Sequence, residues 1–260
     1  MISLLLVFVL AFTSDSYVLE KTIETNAQSF TVDNLRNIYL IENGQTITKI
    51  NSYGNKPFIF DLKEYGKIKY IDVQNPMKIL VLYPEFSVIL ALDNTLSQVG
   101  KYDFNELSVP KISAACMSFD NNVWIYDELD YKLKKFDKQV NLIRQSEDIT
   151  TLLGFAMQPN YMIEQDNLIY IIDKEQGIIV FDIYATYYKT IPIKDIKHIQ
   201  ILNEQLVYQQ GSKAYTYHLK TLEKKELLVP EILEGDTKFF IDKDKLFVLK
   251  NNQLQTYKIQ

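Results

Sequence analysis

The chain has 260 residues, 47% of them hydrophobic, and a net charge of −5 in which 28 basic residues are scattered among 33 acidic ones. That mixture leaves no basic face to neutralise a run of phosphates and argues against nucleic acid as a partner. One cysteine, Cys116, rules out an intramolecular disulfide, and two histidines are too few for a Cys/His zinc set.

The chain opens on an apolar run, ISLLLVFVLAF, followed by Thr13, Ser14, Asp15 and Ser16. The run is too short for a comfortable membrane span and has the make-up of a secretory signal peptide, with cleavage before Ser14 or before Tyr17. Residues 1–16 are therefore expected to direct export to the periplasm or the exterior, with 17–260 as a single domain. Its 18 Tyr and 14 Phe, with abundant Ile, Leu and Val, suit pleated, half-buried surfaces and predict an all-β fold.

From Ser29 onward one pattern occurs six times: an apolar stretch, a polar turn, and a second apolar stretch centred on a large residue. The six centres are Tyr39, Leu80, Trp124, Tyr170, Val207 and Phe247, separated by 41, 44, 46, 37 and 40 residues. Propeller blades repeat at roughly 40 to 50 residues. A third stretch follows each centre (TITKI, SVILALD, YKLKKFD, GIIVFD, KAYTYHL, QLQTYKI), and a more polar fourth follows in copies one to five, as in QVGKYDF, NLIRQSE, YYKTIPI and KKELLVP. Copy six stops after its third stretch at Gln260. The segment Tyr17 to Glu24 belongs to no repeat and resembles the fourth-strand sequence YYKTIPI, so it is expected to complete the last blade and seal the ring. The fold predicted is a six-bladed β-propeller of four-stranded blades. A seventh unit would have to come from the long interval Thr150 to Asn160, which otherwise reads as a short helical connector.

The step Asp33-Asn34-Leu35-Arg36-Asn37-Ile38-Tyr39, its counterpart Asp120-Asn121-Asn122-Val123-Trp124, and the strand ends Leu92-Asp93, Phe136-Asp137 and Phe181-Asp182 resemble propellers of the NHL and quinoprotein-like type. The Asn, Lys, Ile and Tyr bias also resembles envelope propellers of Bacteroidota-type bacteria. These likenesses imply architecture and leave activity to be argued from a site.

Six polar residues recur near the first turn: Asp33, Asn75, Asp120, Glu164, Asn203 and Asp242. Resemblance to propeller lactonases would make them Ca²⁺ ligands, whereas recurrence in every copy is what turn capping requires. Turn capping is the favoured reading, and it also covers Asp93, Asp137 and Asp182. His198 and His218 show no paired-ligand spacing, and Cys116 reads as a small core residue. Nucleotide-binding and nucleophile-elbow motifs are absent, so neither a catalytic residue nor a cofactor is predicted.

An aromatic excess remains in Tyr184, Tyr187 and Tyr188, with Tyr83 and Phe86; packing between neighbouring blades, whose sheets are buried on both faces, is the favoured reading, and any of these rings left on a surface would supply rigid contact area to proteins and sugars. The expected function is a non-catalytic scaffold docking an envelope protein or glycan, with peripheral association with membrane complexes through protein partners. It would use the ring face that carries the second-to-third-strand and blade-to-blade connections. The alternative is a hydrolase or lyase with a divalent metal in the channel, held by Asp120, Glu164 and Asn203. A quinone-cofactor dehydrogenase would want more tryptophan than the single Trp124.

Overall fold

The structure, a computed structural model, describes residues 17–51, 58–107, 109, 111–196, 198–230, 233 and 237–260. The predicted signal segment 1–16 lies outside the described residues.

Among the described residues, twenty-four strands form six separate four-stranded antiparallel sheets. Blade 1 holds β2 (Ala27–Val32), β3 (Ile38–Glu42), β4 (Thr46–Ile50) and β5 (Phe58–Asp61). Blade 2 holds β6 (Tyr70–Asp72), β7 (Ile79–Tyr83), β8 (Val88–Leu92) and β9 (Gln98–Asp103). Blade 3 holds β10 (Ile112–Met117), β11 (Val123–Asp127), β12 (Lys132–Phe136) and β13 (Leu142–Gln145). Blade 4 comprises β14 (Pro159–Gln165), β15 (Leu168–Asp173), β16 (Gly177–Asp182) and β17 (Tyr187–Ile191). Blade 5 comprises β18 (Ile199–Leu202), β19 (Gln205–Gln210), β20 (Lys213–His218) and β21 (Lys224–Leu227). Blade 6 takes β22 (Lys238–Asp242), β23 (Lys245–Lys250) and β24 (Gln253–Ile259) from the C-terminus and β1 (Tyr17–Glu24) from the start of the described chain.

The expected closure is present. β1 pairs antiparallel with β24 from Tyr17 opposite Ile259 to Glu24 opposite Gln253, with one register shift between Leu19 and Lys21. Side chains reinforce the seam. The Tyr17 hydroxyl donates to the Leu228 carbonyl of blade 5 at 2.7 Å, Lys245 pairs with Glu20, and Arg36 of blade 1 bonds Asp242 of blade 6 at 2.7 Å and also Asp244.

All six repeat centres fall in the second strands and are buried. Alternation then gives each of those strands two apolar faces. In β7, Ile79, Val81 and Tyr83 pack with Tyr39, Ile41 and Ile47 of blade 1, while Leu80 and Leu82 pack with Ala115, Met117 and Ile125 of blade 3. The same interleaving joins blades 3 and 4, 4 and 5, 5 and 6, and 6 and 1. Each such side chain contributes about 1.5–3 kcal/mol when fully buried, offset by chain entropy, so the core is six inter-blade layers. The interval Thr150 to Asn160 carries no seventh blade. It contains the short helix α1 (Ile149–Leu153), capped by the Asp148 carboxylate accepting from Thr151 N–H and closed by Gly154 at φ 79°.

The strand-end aspartates are turn residues, as expected: one oxygen of Asp93 accepts from Thr95 and Ser97 N–H, Asp137 from Gln139 and Asn141, and Asp182 from Tyr184 and Thr186. Asp33, Asn75 and Asp120 cap first turns in the same way. Glu164 departs from that expectation. It lies within β14 and is buried, because its register turns it toward blade 3 and away from the turn.

Removing residues 17–24 should strip blade 6 of its outer strand and lower Tm by on the order of 10 °C; thermal melts followed by circular dichroism check this, and an unchanged melt would refute the closure. Gly177 sits at φ 102°, where a Cβ would lie 2.5 Å from the Ile191 carbonyl. Gly177→Ala should therefore cost about 2–3 kcal/mol, read from urea unfolding.

Candidate functional site

Three inner strands each carry a buried polar residue: Asp72 in β6, Glu164 in β14 and Gln200 in β18. Asp72 accepts from the N–H groups of Gln74 (2.9 Å) and of Met117 in the next blade (2.8 Å). Gln200 likewise accepts from Ile241 N–H at 2.9 Å and donates to the Ile241 carbonyl at 3.0 Å. Glu164 reaches back to blade 3, taking Phe119 N–H at 3.0 Å and the Trp124 indole N–H at 2.6 Å. Side chains thus clasp main chain between adjacent inner strands, giving buried amides the partners they need. Burial raises the Asp72 pKa, opposed by its two amide donors.

Two residues nearer the start of each inner strand lies a second level: Tyr70 before Asp72, His198 before Gln200, and, by the same alternation, Tyr161 in β14 and Lys238 in β22. The Tyr70 hydroxyl accepts from Ala115 N–H at 2.6 Å and donates to its carbonyl at 2.5 Å. Its ring lies 5.2 Å from that of Tyr161, which lies 4.4 Å from the His198 imidazole. Blade 3 lets Tyr70 and Tyr161 meet because β10 offers only small residues there, Ser113, Ala114, Ala115 and Cys116. Lys69 bridges the same stretch, donating to the carbonyls of Ser113 (2.6 Å) and Pro159 (3.2 Å). Lys238 donates to the Gln28 carbonyl of blade 1.

Lys69 and His198 are exposed to solvent, yet protein atoms crowd around both, as in the wall of a channel. Enclosure favours neutral forms: burial lowers the Lys69 pKa and, with the Lys238 charge, lowers that of His198 to about 4. Burial also raises the Tyr70, Tyr161 and Cys116 values.

The candidates named from sequence are dispersed. Tyr83 is fully buried, which removes it from the candidate binding residues and fits packing between blades: it faces blade 1 from the end of β7 and packs edge-on against Tyr65 at 5.7 Å. Tyr187 is partly buried against Phe181, its hydroxyl 3.0 Å from Thr190 Oγ1. Tyr184 and Tyr188 are exposed at the rim of blade 4, under Arg144 and Lys189 respectively. Phe86 is exposed between β7 and β8. The alternative metal ligands do not converge. Asp120 is paired with Lys135 at 2.7 Å, Glu164 is held by Trp124, and Asn203 sits in the β18–β19 turn at φ 48°. Among the described residues no three His, Cys, Asp or Glu side chains form a group able to hold a metal ion.

Phe86 has company on its face of the ring. Leu107, Leu129, Tyr131 and Leu152 are also exposed, all in connections of blades 2 to 4 on the side where the inner strands start. Backbone bonds hold the connections together: Phe104 N–H to the Ser87 carbonyl at 3.1 Å, and Ile149 N–H to the Tyr131 carbonyl at 2.9 Å.

The depressed His198 pKa has a testable sign. An unfolded histidine titrates near 6.5, so between about pH 6.5 and 4 the unfolded chain binds the extra proton and folded stability falls as pH falls. Urea unfolding at pH 7 and pH 4.5 should show a loss of stability in the native protein that is smaller in His198→Gln.

No protein-family profile matches the sequence, and no curated protein is similar to it in sequence. Solved structures are similar in shape. A catalytically inactive virginiamycin B lyase from Staphylococcus aureus with quinupristin aligns over 94% of this chain and 89% of that one, with TM-score 0.63 and 15% identity. The Neurospora crassa Pan2 WD40 domain aligns over 95% and 96%, with TM-score 0.66 and 9% identity. The extracellular domain of BT4673 from B. thetaiotaomicron aligns over 89% of this chain and 33% of that one, with TM-score 0.57 and 12% identity. Identities this low carry the fold and nothing finer; with the six sheets above, they make this chain a six-bladed β-propeller.

Proposed function

We propose that the chain is a non-catalytic binding propeller that docks an envelope protein through the face where the inner strands begin. The observation carrying this reading is the row of exposed apolar side chains Phe86, Leu107, Leu129, Tyr131 and Leu152 on that face. Large apolar groups held on a rigid scaffold favour association, because little side-chain or loop entropy remains to be lost. Likeness to a WD40 domain and to an extracellular domain is consistent with such a role. Segment 1–16 would direct export, leaving the propeller 17–260 as the exported domain. Among the described residues no helix is long and apolar enough to cross a membrane.

Capture from envelope extracts tests the reading. Phe86→Ser combined with Leu129→Ser should reduce recovery of the bound protein by tenfold or more, the scale expected when interface anchors are lost. Tyr184→Ala with Tyr188→Ala, at the rim of blade 4, should leave recovery unchanged. Equal recovery by the native protein and the Phe86/Leu129 variant would overturn the choice of face.

A further inference from the structure

The exposed apolar row is carried by four connections that hydrogen bonds tie into one strip. They are 84–87 between β7 and β8, 104–111 between blades 2 and 3, 128–131 between β11 and β12, and 146–154 between blades 3 and 4. The Asn105 side chain donates to the Phe86 carbonyl and Phe104 N–H to that of Ser87, joining the first two. Glu128 N–H donates to the Lys111 carbonyl at 3.0 Å, joining the second to the third, and Ile149 N–H to the Tyr131 carbonyl at 2.9 Å, joining the third to the fourth. Phe86, Leu107, Leu129, Tyr131 and Leu152 therefore sit on one continuous strip from blade 2 to blade 4.

Acids stand beside the apolar residues along that strip. The sequence reads Glu85-Phe86, Glu106-Leu107, Glu128-Leu129-Asp130-Tyr131 and Glu147-Asp148, and Lys111 is the single base in the four connections. Lys111 is paired with Glu128 at 2.5 Å. Lys134 of β12 bonds both Asp127 at 2.7 Å and Asp130 at 2.5 Å, so one cation faces two anions. Lys132 bears on Asp130 and Asp148, whose carboxyls hydrogen bonds from Lys134 and Thr150 hold below the usual aspartate range. Lys101, beside the strip, is occupied by Asp103 at 2.7 Å. Glu85 and Glu147 are exposed, and among the described residues neither enters an ion pair. A surplus of negative charge thus accompanies the apolar groups. It repels the anionic surface of a lipid leaflet and complements a protein segment that carries cations together with apolar side chains.

We propose that the strip receives a cationic amphipathic segment of a partner protein, its apolar side chains laid on Phe86, Leu107, Leu129, Tyr131 and Leu152 and its Lys or Arg groups directed at Glu85, Asp130 and Glu147. This partner chemistry rests on the docking reading above and makes it more specific. Apolar contact supplies affinity, whereas charges at the edge of an interface act on approach and on the choice of partner, so an acidic segment of the same shape is rejected. A helix with apolar residues at i, i+3, i+4 and i+7 and lysines between them presents such a mixed face.

Two synthetic helices of about 14 residues provide the test, one patterned from Leu and Lys and the other with Glu in place of each Lys. In fluorescence anisotropy the labelled Leu/Lys peptide should bind the native protein saturably, and the Leu/Glu peptide should not bind. Glu85→Gln with Glu147→Gln should weaken binding of the Leu/Lys peptide about fivefold at low ionic strength. Raising salt from about 0.02 M to about 0.3 M should shrink the difference between that variant and the native protein. Phe86→Ser with Leu129→Ser should also weaken binding, whereas Glu204→Gln with Glu223→Gln, the same change of charge on blade 5, should leave it as it is. Equal binding of both peptides, lost only in the Phe86/Leu129 variant, would overturn the charge assignment and leave the docking face standing. Undiminished binding in both strip variants, no binding of either peptide, or a preference for phosphatidylglycerol vesicles over the Leu/Lys peptide would overturn the cationic-segment proposal. The docking reading itself stands on the separate capture from envelope extracts.

Discussion

Ring closure is the constraint on which everything else depends. Each second strand is apolar on both faces, so no blade can satisfy itself alone, and the layer between blades 6 and 1 exists only if the two ends of the chain meet. The β1–β24 ladder brings them together. Arg36 with Asp242 and Lys238 with Gln28 fasten the same seam nearer the channel. The β1 backbone groups thereby cover what would otherwise be the unpaired edge of β24.

Closure also explains the polar residues of the inner strands. Neighbouring inner strands approach near the axis without forming a common sheet, which leaves main-chain groups such as those of Met117 and Ile241 in need of partners. Asp72 and Gln200 supply them from the preceding blade, and Glu164 serves Phe119 and Trp124 from the following one. A buried carboxylate that accepts amide protons is tolerated where an unpaired one would not be. The level above is joined differently, by a run of rings from Tyr70 through Tyr161 to His198.

The same geometry distributes the surface. On the side where inner strands begin, the second-to-third-strand connections of blades 2 and 3 carry Phe86 and Leu129, and the connections leaving those blades carry Leu107 and Leu152. The opposite side is made mostly of tight turns capped by Asp or Asn, whose side chains are occupied by the amides of their own turns. A surface of capped turns is committed to holding the hairpins, whereas longer connections can present apolar groups at little cost to the scaffold.

Blade number, strand order and the closing role of Tyr17 to Glu24 were legible in the sequence, because they follow from period and from one strand lacking in the last repeat. The capping roles of Asp93, Asp137 and Asp182 were legible too, since a turn is a local device. Sequence left Tyr83 open between a surface ring and an inter-blade one, and only the packing of β7 against blade 1 shows which way that ring points. Glu164 was grouped with turn residues because a count from the repeat centre cannot tell the last turn of a hairpin from the strand beside it. Polar residues set in apolar inner strands, as in YID, MIE and IQIL, were the available signal for the clasps. The ring contacts of Tyr70 with Tyr161 and of Tyr161 with His198 had no sequence signal at all: the three residues come from three blades, up to 128 positions apart. Sequence by itself determined the repeating unit, which local periodicity encodes; the tertiary structure alone decided the channel, because closing the ring is what brings equivalent positions of distant repeats to one axis.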